Sequence, residues 1–351
     1  MKAILGKIPV KLGIMAAMLA AAAVAAAVAA GIMLRRDSGA NVGQNLKIGV
    51  FMYRGDDTFI SNLMNSLRDI VSAYEREQGA NLYLSIQDAQ GSQATQNTQI
   101  ERSLSLGYNI LCVNVVDRTS VAYVIDKAME ADVPLIFFNR EPVQADLRKW
   151  DKLYYVGTDA SMNGRLEGQI IVDAYRENPE RLDLNNDGIL QYIMIEGEFR
   201  HQDAILRTES SIQAIVDAGI MVEKLDGGTA NWERSQAAAL AKDYFTKYGS
   251  QIEVILCNND DMALGVIDYV SDNQLDFTNI VGVDGTPQGL QAVYDGKMEG
   301  TVVIDYEAQA KLIFEIVLAH IKDGNARDVI GMTEERYVRA PMYVVRREGQ
   351  K

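Results

Sequence analysis

Short apolar segments alternate with amphipathic helical patterns along most of this chain, and no other feature restricts its fold as strongly. The first half carries the apolar segments LKIGVFM (46–52), LYLSI (82–86), ILCVNVV (110–116) and PLIFFN (134–139), with helical patterns at 58–76, 92–106 and 119–131 between them. Apolar strands joined by helices are typical of parallel sheets that helices cover on both faces. The alternation therefore predicts an α/β fold.

The same alternation begins again near residue 158. Its strands are predicted at YYVG (154–157), LQYIMIEG (190–197), IMVEKL (220–225), IEVILCN (252–258) and IVGVD (280–284), with helices at 160–176, 203–218, 231–248 and 261–273. A late strand, TVVID (301–305), a helix at 306–322 and two closing strands follow. Because 351 residues exceed the size of one small domain, we predict two α/β units of similar size.

Residues 1–36 differ in composition from the rest of the chain. A basic start is followed by an uncharged, alanine-rich run of 23 residues, Leu12–Leu34, and then by Arg35 and Arg36. Such a run predicts an apolar helix that is either a signal peptide or an uncleaved membrane anchor. Residues 37–45 are a polar linker with two glycines. Both interpretations export the chain from residue 37 onward.

The exported part is strongly acidic. The whole chain has a net charge of −14, and this becomes −19 once the five basic groups of residues 1–36 are set aside. A surface of this charge repels phosphate backbones, which argues against nucleic acid as a partner. The two cysteines, Cys112 and Cys257, lie in apolar strands. They are expected to be buried thiols rather than a disulfide or a metal pair.

Polar residues are concentrated where predicted strands end and helices begin, the edge at which open α/β sheets bind ligands. These junctions are GDDTF (55–59), FFNREP (137–142), EGEFRHQDAILR (196–207), CNNDD (257–261) and GVDG (282–285), and the loop TANWERSQ (229–236) adds a tryptophan. Any one Asp or Asn there could simply cap a helix. Together, carboxylates and amides suit a ligand with many hydroxyls, and aromatic rings suit the C–H faces of a sugar. The sequence thus favours a sugar or polyol site between two lobes.

The stretch DLNNDGILQ (183–191) has the D-x-N-x-D-G spacing of an EF-hand calcium loop. In such a loop the ligands at positions 1, 3, 5, 7 and 9 are here Asp183, Asn185, Asp187, the carbonyl of Ile189 and Gln191. Position 12, which normally supplies a bidentate glutamate, is Met194. By itself the loop is either a solvated acidic turn or a calcium site whose last carboxylate comes from elsewhere.

Several of these stretches together resemble a known family. KIGVFMYRGDDTF, VPLIFFNREP, YYVGTD, DLNNDG, TANWE, IEVILCNNDDMALG and GVDGTPQGL match, in order and spacing, the ribose/galactose-type periplasmic binding proteins, and within them the galactose/glucose-binding members. The resemblance extends from residue 46 almost to the C-terminus.

The resemblance implies a type I periplasmic binding protein with two doubly wound parallel-sheet lobes. One lobe would comprise 46–157 with 305–338 and the other 158–304 with 339–351, joined by a three-segment hinge near residues 158, 304 and 338. The lobes would close around one monosaccharide without catalysing a reaction. The closed form, a monomer outside the cytoplasm, would deliver the sugar to an ABC transporter permease.

The resemblance also assigns roles to individual residues. Phe59 and Trp232 would stack on opposite faces of the sugar. The polar sugar-binding set would be Asp57, Asn139, His201, Asp203, Arg207, Asn259 and Asp284. Glu253 would supply the missing carboxylate of a structural Ca²⁺ site formed with Asp183, Asn185, Asp187, Ile189 and Gln191.

One position departs from the family pattern. Where the family has an asparagine before the Asp of the late strand, this chain has Ile304. An isoleucine cannot bond a hydroxyl, and an unpaired buried hydroxyl costs about 1–3 kcal/mol. We therefore expect an altered sugar preference or a weaker affinity.

Three other functions are compatible with parts of the sequence. A membrane-anchored sugar sensor that works with a chemoreceptor or a two-component kinase would need the same closed form as a transport receptor. A glycosidase could use Asp57, Asp203 or Asp284 as its carboxylate pair, but Arg207 and His201 beside them suit hydroxyl binding. Sugar-responsive repressors share this fold, yet they carry a helix-turn-helix where this chain has an apolar segment.

Overall fold

Two six-stranded sheets organise the chain. The computed structural model describes residues 46–329 and 331–347. The predicted apolar segment at 12–34 and the linker at 37–45 lie outside the described residues.

The first sheet is parallel throughout. It contains β1 (Leu46–Met52), β2 (Leu82–Asp88), β3 (Ile110–Val113), β4 (Leu135–Phe138), β5 (Leu153–Gly157) and β11 (Tyr337–Arg339), in the order β11-β5-β4-β3-β1-β2. Strands β3, β4 and β5 are fully buried, as expected for a sheet covered on both faces.

The second sheet repeats this arrangement with one difference. It contains β6 (Ile189–Glu196), β7 (Met221–Thr229), β8 (Val254–Cys257), β9 (Ile280–Asp284), β10 (Gly300–Ile304) and β12 (Met342–Arg346), in the order β12-β10-β9-β8-β6-β7. The edge strand β12 is antiparallel to β10, and the remaining pairs are parallel. The predicted two-lobe α/β architecture is confirmed.

Helices connect the strands and cover the sheets. They are α1 (Thr58–Gln78), α2 (Gln93–Ser105), α3 (Val121–Glu130), α4 (Gln144–Leu147), α5 (Ala160–Glu177), α6 (Gln202–Asp217), α7 (Arg234–Tyr248), α8 (Asp260–Asp272), α9 (Pro287–Tyr294) and α10 (Tyr306–Asp323). Asp57, Asp159 and Asn259 cap α1, α5 and α8 by accepting backbone N–H bonds. Helices α4 and α9 have no counterpart among the sequence predictions.

The helix predicted at 231–248 is shorter than expected. It begins at Arg234, because Asn231 and Trp232 have positive φ angles of 51° and 67° that a helix cannot contain. Strand β7 runs on through two glycines to Thr229 instead of ending near 225. The loop between them is therefore tight, and it fixes where Trp232 points.

The chain passes between the sheets three times. The passages follow β5, follow β10 and join β11 to β12, close to the predicted hinge positions. After the second passage, α10 packs against α1, where the rings of Tyr74 and Phe314 lie 5.3 Å apart. Cys112 and Cys257 are buried free thiols in β3 and β8, as predicted.

Candidate functional site

One cavity lies where the carboxyl ends of strands from both sheets meet. It has about 350 Å³ of free space, counting its open side. Its lining residues are Tyr53, Asp57, Phe59, Asn139, Arg140, His201, Asp203, Arg207, Trp232, Asn259 and Asp284. All nine residues that the sequence assigned to a sugar site therefore lie together, although their role in binding stays a prediction.

The first sheet contributes a linked set of side chains. The Tyr53 hydroxyl donates to Asp57 Oδ2 at 2.5 Å, while Asp57 Oδ1 accepts the N–H of Ile60 at 2.9 Å. The Arg140 guanidinium stacks on the Tyr53 ring, 3.7 Å from its centroid. Burial and the neighbouring Asp57 charge raise the pKa of Tyr53 well above its usual value, so its hydroxyl remains a donor.

Asn139 is held by groups behind it. Its side-chain oxygen accepts a bond from Asn114 Nδ2 at 3.0 Å, and its carbonyl accepts the Tyr155 hydroxyl at 2.8 Å. Asn114 in turn is fixed by the side chain of Gln96, which donates to its carbonyl at 2.9 Å. This network leaves the Asn139 amide nitrogen as the group available to a ligand.

The second sheet places one arginine among carboxylates. Arg207 Nη1 donates to the carbonyl of Asn258 at 2.7 Å and lies 3.6 Å from Asp284, while Nη2 lies 4.0 Å from Asp203. Burial raises the pKa of both Asp203 and Asp284, and the Arg207 charge partly opposes this. Asn259 Oδ1 accepts the N–H of Met262 at 3.0 Å, and Nδ2 donates to the carbonyl of Trp232 at 3.4 Å, which leaves one N–H of the amide for a ligand.

His201 and Trp232 form one wall of the cavity. Their rings are perpendicular, with centroids 5.2 Å apart. His201 Nδ1 accepts the N–H of Asp203 at 3.1 Å, and burial lowers the pKa of the imidazole well below its usual value. The neutral ring therefore carries its proton on Nε2 and can donate it. Gly197 lets the indole lie close, since a Cβ there would be 2.2 Å from the Trp232 ring.

Three lining residues adopt backbone conformations that are unusual for residues with a side chain. Asn139, Trp232 and Asp284 have φ angles of 59°, 67° and 122°. Such conformations cost about 1–3 kcal/mol each and are found preferentially at functional sites. The fold thus holds strained backbone at three positions of the cavity lining.

Three polar contacts join the two halves of the cavity beside its lining. Arg140 Nη2 lies 2.8 Å from Glu198, Arg54 Nη1 lies 3.2 Å from Glu233, and the Thr58 hydroxyl donates to Asp261 at 2.5 Å. In each contact the first residue follows a strand of the first sheet and the second follows a strand of the second sheet. This geometry corresponds to a closed cleft.

Two lining residues, Arg140 and Tyr53, were absent from the sequence-based assignment. The place of Arg140 beside Asn139 and that of Tyr53 at the end of β1, four residues before the capping Asp57, could have indicated them. Ile304, by contrast, is buried at the end of β10 and is not one of the lining residues. The neighbouring Asp305 caps α10 by accepting the N–H of Ala308 at 2.8 Å, so that oxygen is already engaged.

The DLNNDGILQ loop folds around Glu253. That carboxylate accepts the backbone N–H groups of Leu184, Asn185 and Gln191 at 2.6, 3.1 and 3.0 Å. Burial raises the pKa of Glu253, and the Asp183 charge adds to the effect. The predicted partner of the loop is thus in contact with it.

The oxygen groups of this loop are of the kind that calcium prefers, but several of them are bonded to one another. Carboxylates, amides and a carbonyl are the oxygen ligands that Ca²⁺ prefers. Asn185 Nδ2 donates to Gln191 Oε1 at 3.0 Å, and Gln191 Nε2 donates to Asp187 Oδ2 at 3.1 Å. Within the described residues, no three acidic, histidine or cysteine side chains are close enough together to hold a metal ion. Coordination by the full predicted set would require these two bonds to open.

Within residues 46–329 and 331–347, no helix is both long and apolar enough to cross a membrane.

Comparison with known proteins gives consistent relatives. A model of the periplasmic binding protein domain matches residues 48–326. The D-galactose/methyl-galactoside binding periplasmic protein MglB of Haemophilus influenzae is 34% identical over 282 residues, covering 79% of this chain and 82% of that protein. The putative rhizopine-binding protein of Rhizobium meliloti is 28% identical over 267 residues, covering 75% and 81%.

Solved structures share the fold. The ABC transporter solute binding protein of Bacillus halodurans, solved with bound myo-inositol, has a TM-score of 0.70 at 24% identity and covers 86% of this chain and 94% of its own. The solute binding protein of Actinobacillus succinogenes, solved with D-allose, has a TM-score of 0.72 at 18% identity, covering 86% and 98%. At these identities the likeness establishes the fold alone.

Proposed function

Because this chain belongs to the periplasmic binding protein family, as its motifs predicted, we propose that it is an extracytoplasmic receptor that closes around one monosaccharide and delivers it to an ABC transporter. It is a binding protein rather than an enzyme, in keeping with its relatives. We expect it to act as a monomer.

The observation that carries this proposal is the composition of the cavity lining. The cavity combines donors that cannot accept, such as Arg207, with carboxylates that accept, such as Asp203 and Asp284. A sugar hydroxyl both donates and accepts, so it can satisfy both kinds of group at once. Phe59 and Trp232 add flat apolar faces, which suit the C–H faces of a pyranose ring.

The three contacts across the cleft support a mechanism of closure. A bound sugar would bridge the two sheets, and Arg140–Glu198, Arg54–Glu233 and Thr58–Asp261 would then hold the lobes together. A transporter that recognises both lobes would bind this closed form. A chemoreceptor or sensor kinase would require the same closed form. In a deletion strain, loss of sugar uptake would point to the transporter and loss of chemotaxis to the chemoreceptor.

We propose a galactose- or glucose-like sugar, with a preference that Ile304 modifies. The likeness to a galactose-binding relative supports the class of sugar. Ile304 replaces the asparagine that galactose- and glucose-binding relatives carry at this position. Sugars that do not need a hydrogen bond from that amide should therefore bind relatively better. Xylose and arabinose are the alternatives to test beside galactose and glucose.

Calorimetric titration tests the function directly. D-Galactose, D-glucose, D-xylose and L-arabinose are titrated into the wild-type protein and into Arg207→Ala, which leaves Asp203 and Asp284 without their cation. The matched control is Arg234→Ala. Arg234 is an exposed arginine on α7, a helix that packs on the same sheet. We expect at least one sugar to bind wild type and the control, but not Arg207→Ala. Absence of heat with every sugar, or unchanged binding in Arg207→Ala, contradicts the proposal.

We also propose that the 183–191 loop and Glu253 hold a structural Ca²⁺ ion. Glu253 and Asp183 are buried carboxylates, and the charge of Asp183 makes ionisation of Glu253 less favourable. A divalent cation between them would offset this electrostatic repulsion. No helix follows the loop in the manner of an EF-hand, since β6 begins at Ile189. The ion would therefore stabilise one lobe rather than act as a switch.

A further inference from the structure

A carboxylic acid on α5 lies fully buried and is not part of the cavity lining. Glu167 has no exposed surface, and neither of its carboxylate oxygens accepts a hydrogen bond. Asn163, one helical turn earlier on the same face, is also fully buried, and its side-chain oxygen has no partner. An ionised carboxylate in this place would be a buried charge without a donor, beside an Asn163 oxygen that also lacks one.

Close packing of two helices places Glu167 beside α6. A Cβ on Gly164 would lie 2.4 Å from the carbonyl oxygen of Arg207, and one on Gly168 would lie 2.2 Å from that of Ser211. The two glycines therefore bring the backbones of α5 and α6 into contact. Glu167 lies between the two glycines along α5, and the charge of Arg207 on α6 acts on its carboxyl.

The guanidinium of Arg207 does not use all of its N–H groups in short hydrogen bonds. Its Nη1 is bonded to Asn258, and its contacts with Asp284 and Asp203 are long, at 3.6 and 4.0 Å. Its Nε is buried and has no acceptor. Arg207 therefore keeps one buried donor that a nearby carboxylate could attract once it became charged.

The groups that act on Glu167 are few. Burial is the largest influence and raises the pKa of its carboxyl well above the usual value, and the charge of Asp260 raises it further. The charge of Arg207 lowers it, and the nearby backbone N–H of Cys257 lowers it slightly without reaching the geometry of a hydrogen bond. The buried Cys257 thiol has its own pKa raised and stays neutral. A protonated Glu167 can donate to Asn163, and it leaves Asp203 and Asp284 as the carboxylates that compete for Arg207.

Building on the proposed sugar-binding function, we propose that Glu167 is a positioning residue for the sugar site: its protonated carboxyl leaves Arg207 facing the cavity, and its ionised form draws the guanidinium away. Sugar affinity then falls as the pH rises. Glu167 does not touch the sugar, and it acts only through Arg207.

Titration with D-galactose at pH 6 and pH 9.5, or with D-xylose if D-galactose does not bind, tests this inference. The wild-type Kd should rise at least about tenfold between the two pH values, the loss expected when one hydrogen bond from a charged group is weakened. Glu167→Gln cannot ionise and should lack this rise. Glu209→Gln, the same change at an exposed position of α6, should follow wild type.

The outcomes separate this inference from the function itself. If no sugar binds at any pH, the proposed function fails. If a sugar binds but the Kd is constant with pH, or rises equally in Glu167→Gln, the positioning role is overturned.

The stability of the sugar-free protein gives a second readout. The native state keeps the Glu167 proton at pH values where the unfolded chain has lost it, so rising pH lowers the stability of wild type but not of Glu167→Gln. Glu167→Met also cannot ionise and guards against a defect specific to glutamine. At pH 8 both variants should unfold at or above the wild-type temperature. Markedly lower unfolding temperatures in both would mean that Glu167 is ionised and paired, which overturns the inference.

Discussion

The Arg140–Glu198 contact should contribute to sugar affinity because it joins the two lobes. The two groups lie 2.8 Å apart, and their side chains are 6% and 29% exposed. Exposed pairs contribute about 0.2–1 kcal/mol, and bonds to charged groups in buried places about 1.5–3 kcal/mol. This half-buried pair should therefore contribute about 1–2 kcal/mol, which corresponds to a Kd about 5–30 times weaker when the pair is broken.

A double-mutant cycle isolates this contribution. Arg140 also stacks on Tyr53 and donates to the carbonyl of Val116, so Arg140→Ala alone loses more than the ion pair. The Kd is measured by calorimetry for wild type, Arg140→Ala, Glu198→Ala and the double variant, and the coupling energy is what remains after both single effects are subtracted.

The matched control is an ion pair within one lobe. Arg234 and Asp268 lie 2.6 Å apart on neighbouring helices of the second sheet, so breaking their contact leaves the cleft unchanged. Their coupling energy in sugar binding should be close to zero, although protein stability changes. A coupling energy below about 0.3 kcal/mol for Arg140 and Glu198, with sugar binding otherwise intact, would refute the reasoning.

Four further predictions follow from single positions. Ile304→Asn should strengthen D-galactose binding about fivefold by restoring one hydrogen bond, and calorimetry that finds equal or weaker binding counts against the assignment. Trp232→Ala should weaken sugar binding about 100-fold through the loss of its ring face, whereas a change below fivefold would exclude stacking. A chelator should lower the melting temperature of wild type but not of Glu253→Ala, and an unchanged wild-type value removes the calcium proposal. Burial raises the pKa of Asp260 to about 7, so above about pH 4 the native state holds a proton that the unfolded chain has lost. The free energy of unfolding should therefore fall between about pH 4 and pH 7, and the fall should be smaller in Asp260→Asn.

Much of the candidate site could be predicted because its residues follow a topological rule. Asp57, Asn139, Asn259 and Asp284 lie at or within five residues of the carboxyl ends of parallel strands, and such strands end at a common edge. Chain order therefore placed these four side chains on the same side of the two sheets. Trp232 was also found. The helix predicted from residue 231 begins only at Arg234, because the positive φ of Trp232 belongs to the tight loop after β7.

Other members of the site needed the structure. Tyr53 lies at the end of an apolar strand and reads as a core residue, and only its bond to Asp57 and its contact with Arg140 reveal it. Glu167 reads as one acidic residue of an amphipathic helix. Its burial arises because two glycines allow α5 to approach α6, and this approach cannot be predicted from the local sequence pattern.

The sequence by itself determined the two sheets, their parallel strands and the edge that carries the candidate site. These features depend on hydrophobic periodicity and on chain order, which are local properties. The tertiary structure decided which residues join the two lobes, that Asp203 and Asp284 both lie near Arg207, and that Glu167 is buried away from water. Those properties depend on distances between residues that are far apart in sequence, since burial and charge proximity set the energy of each group only after the chain has packed.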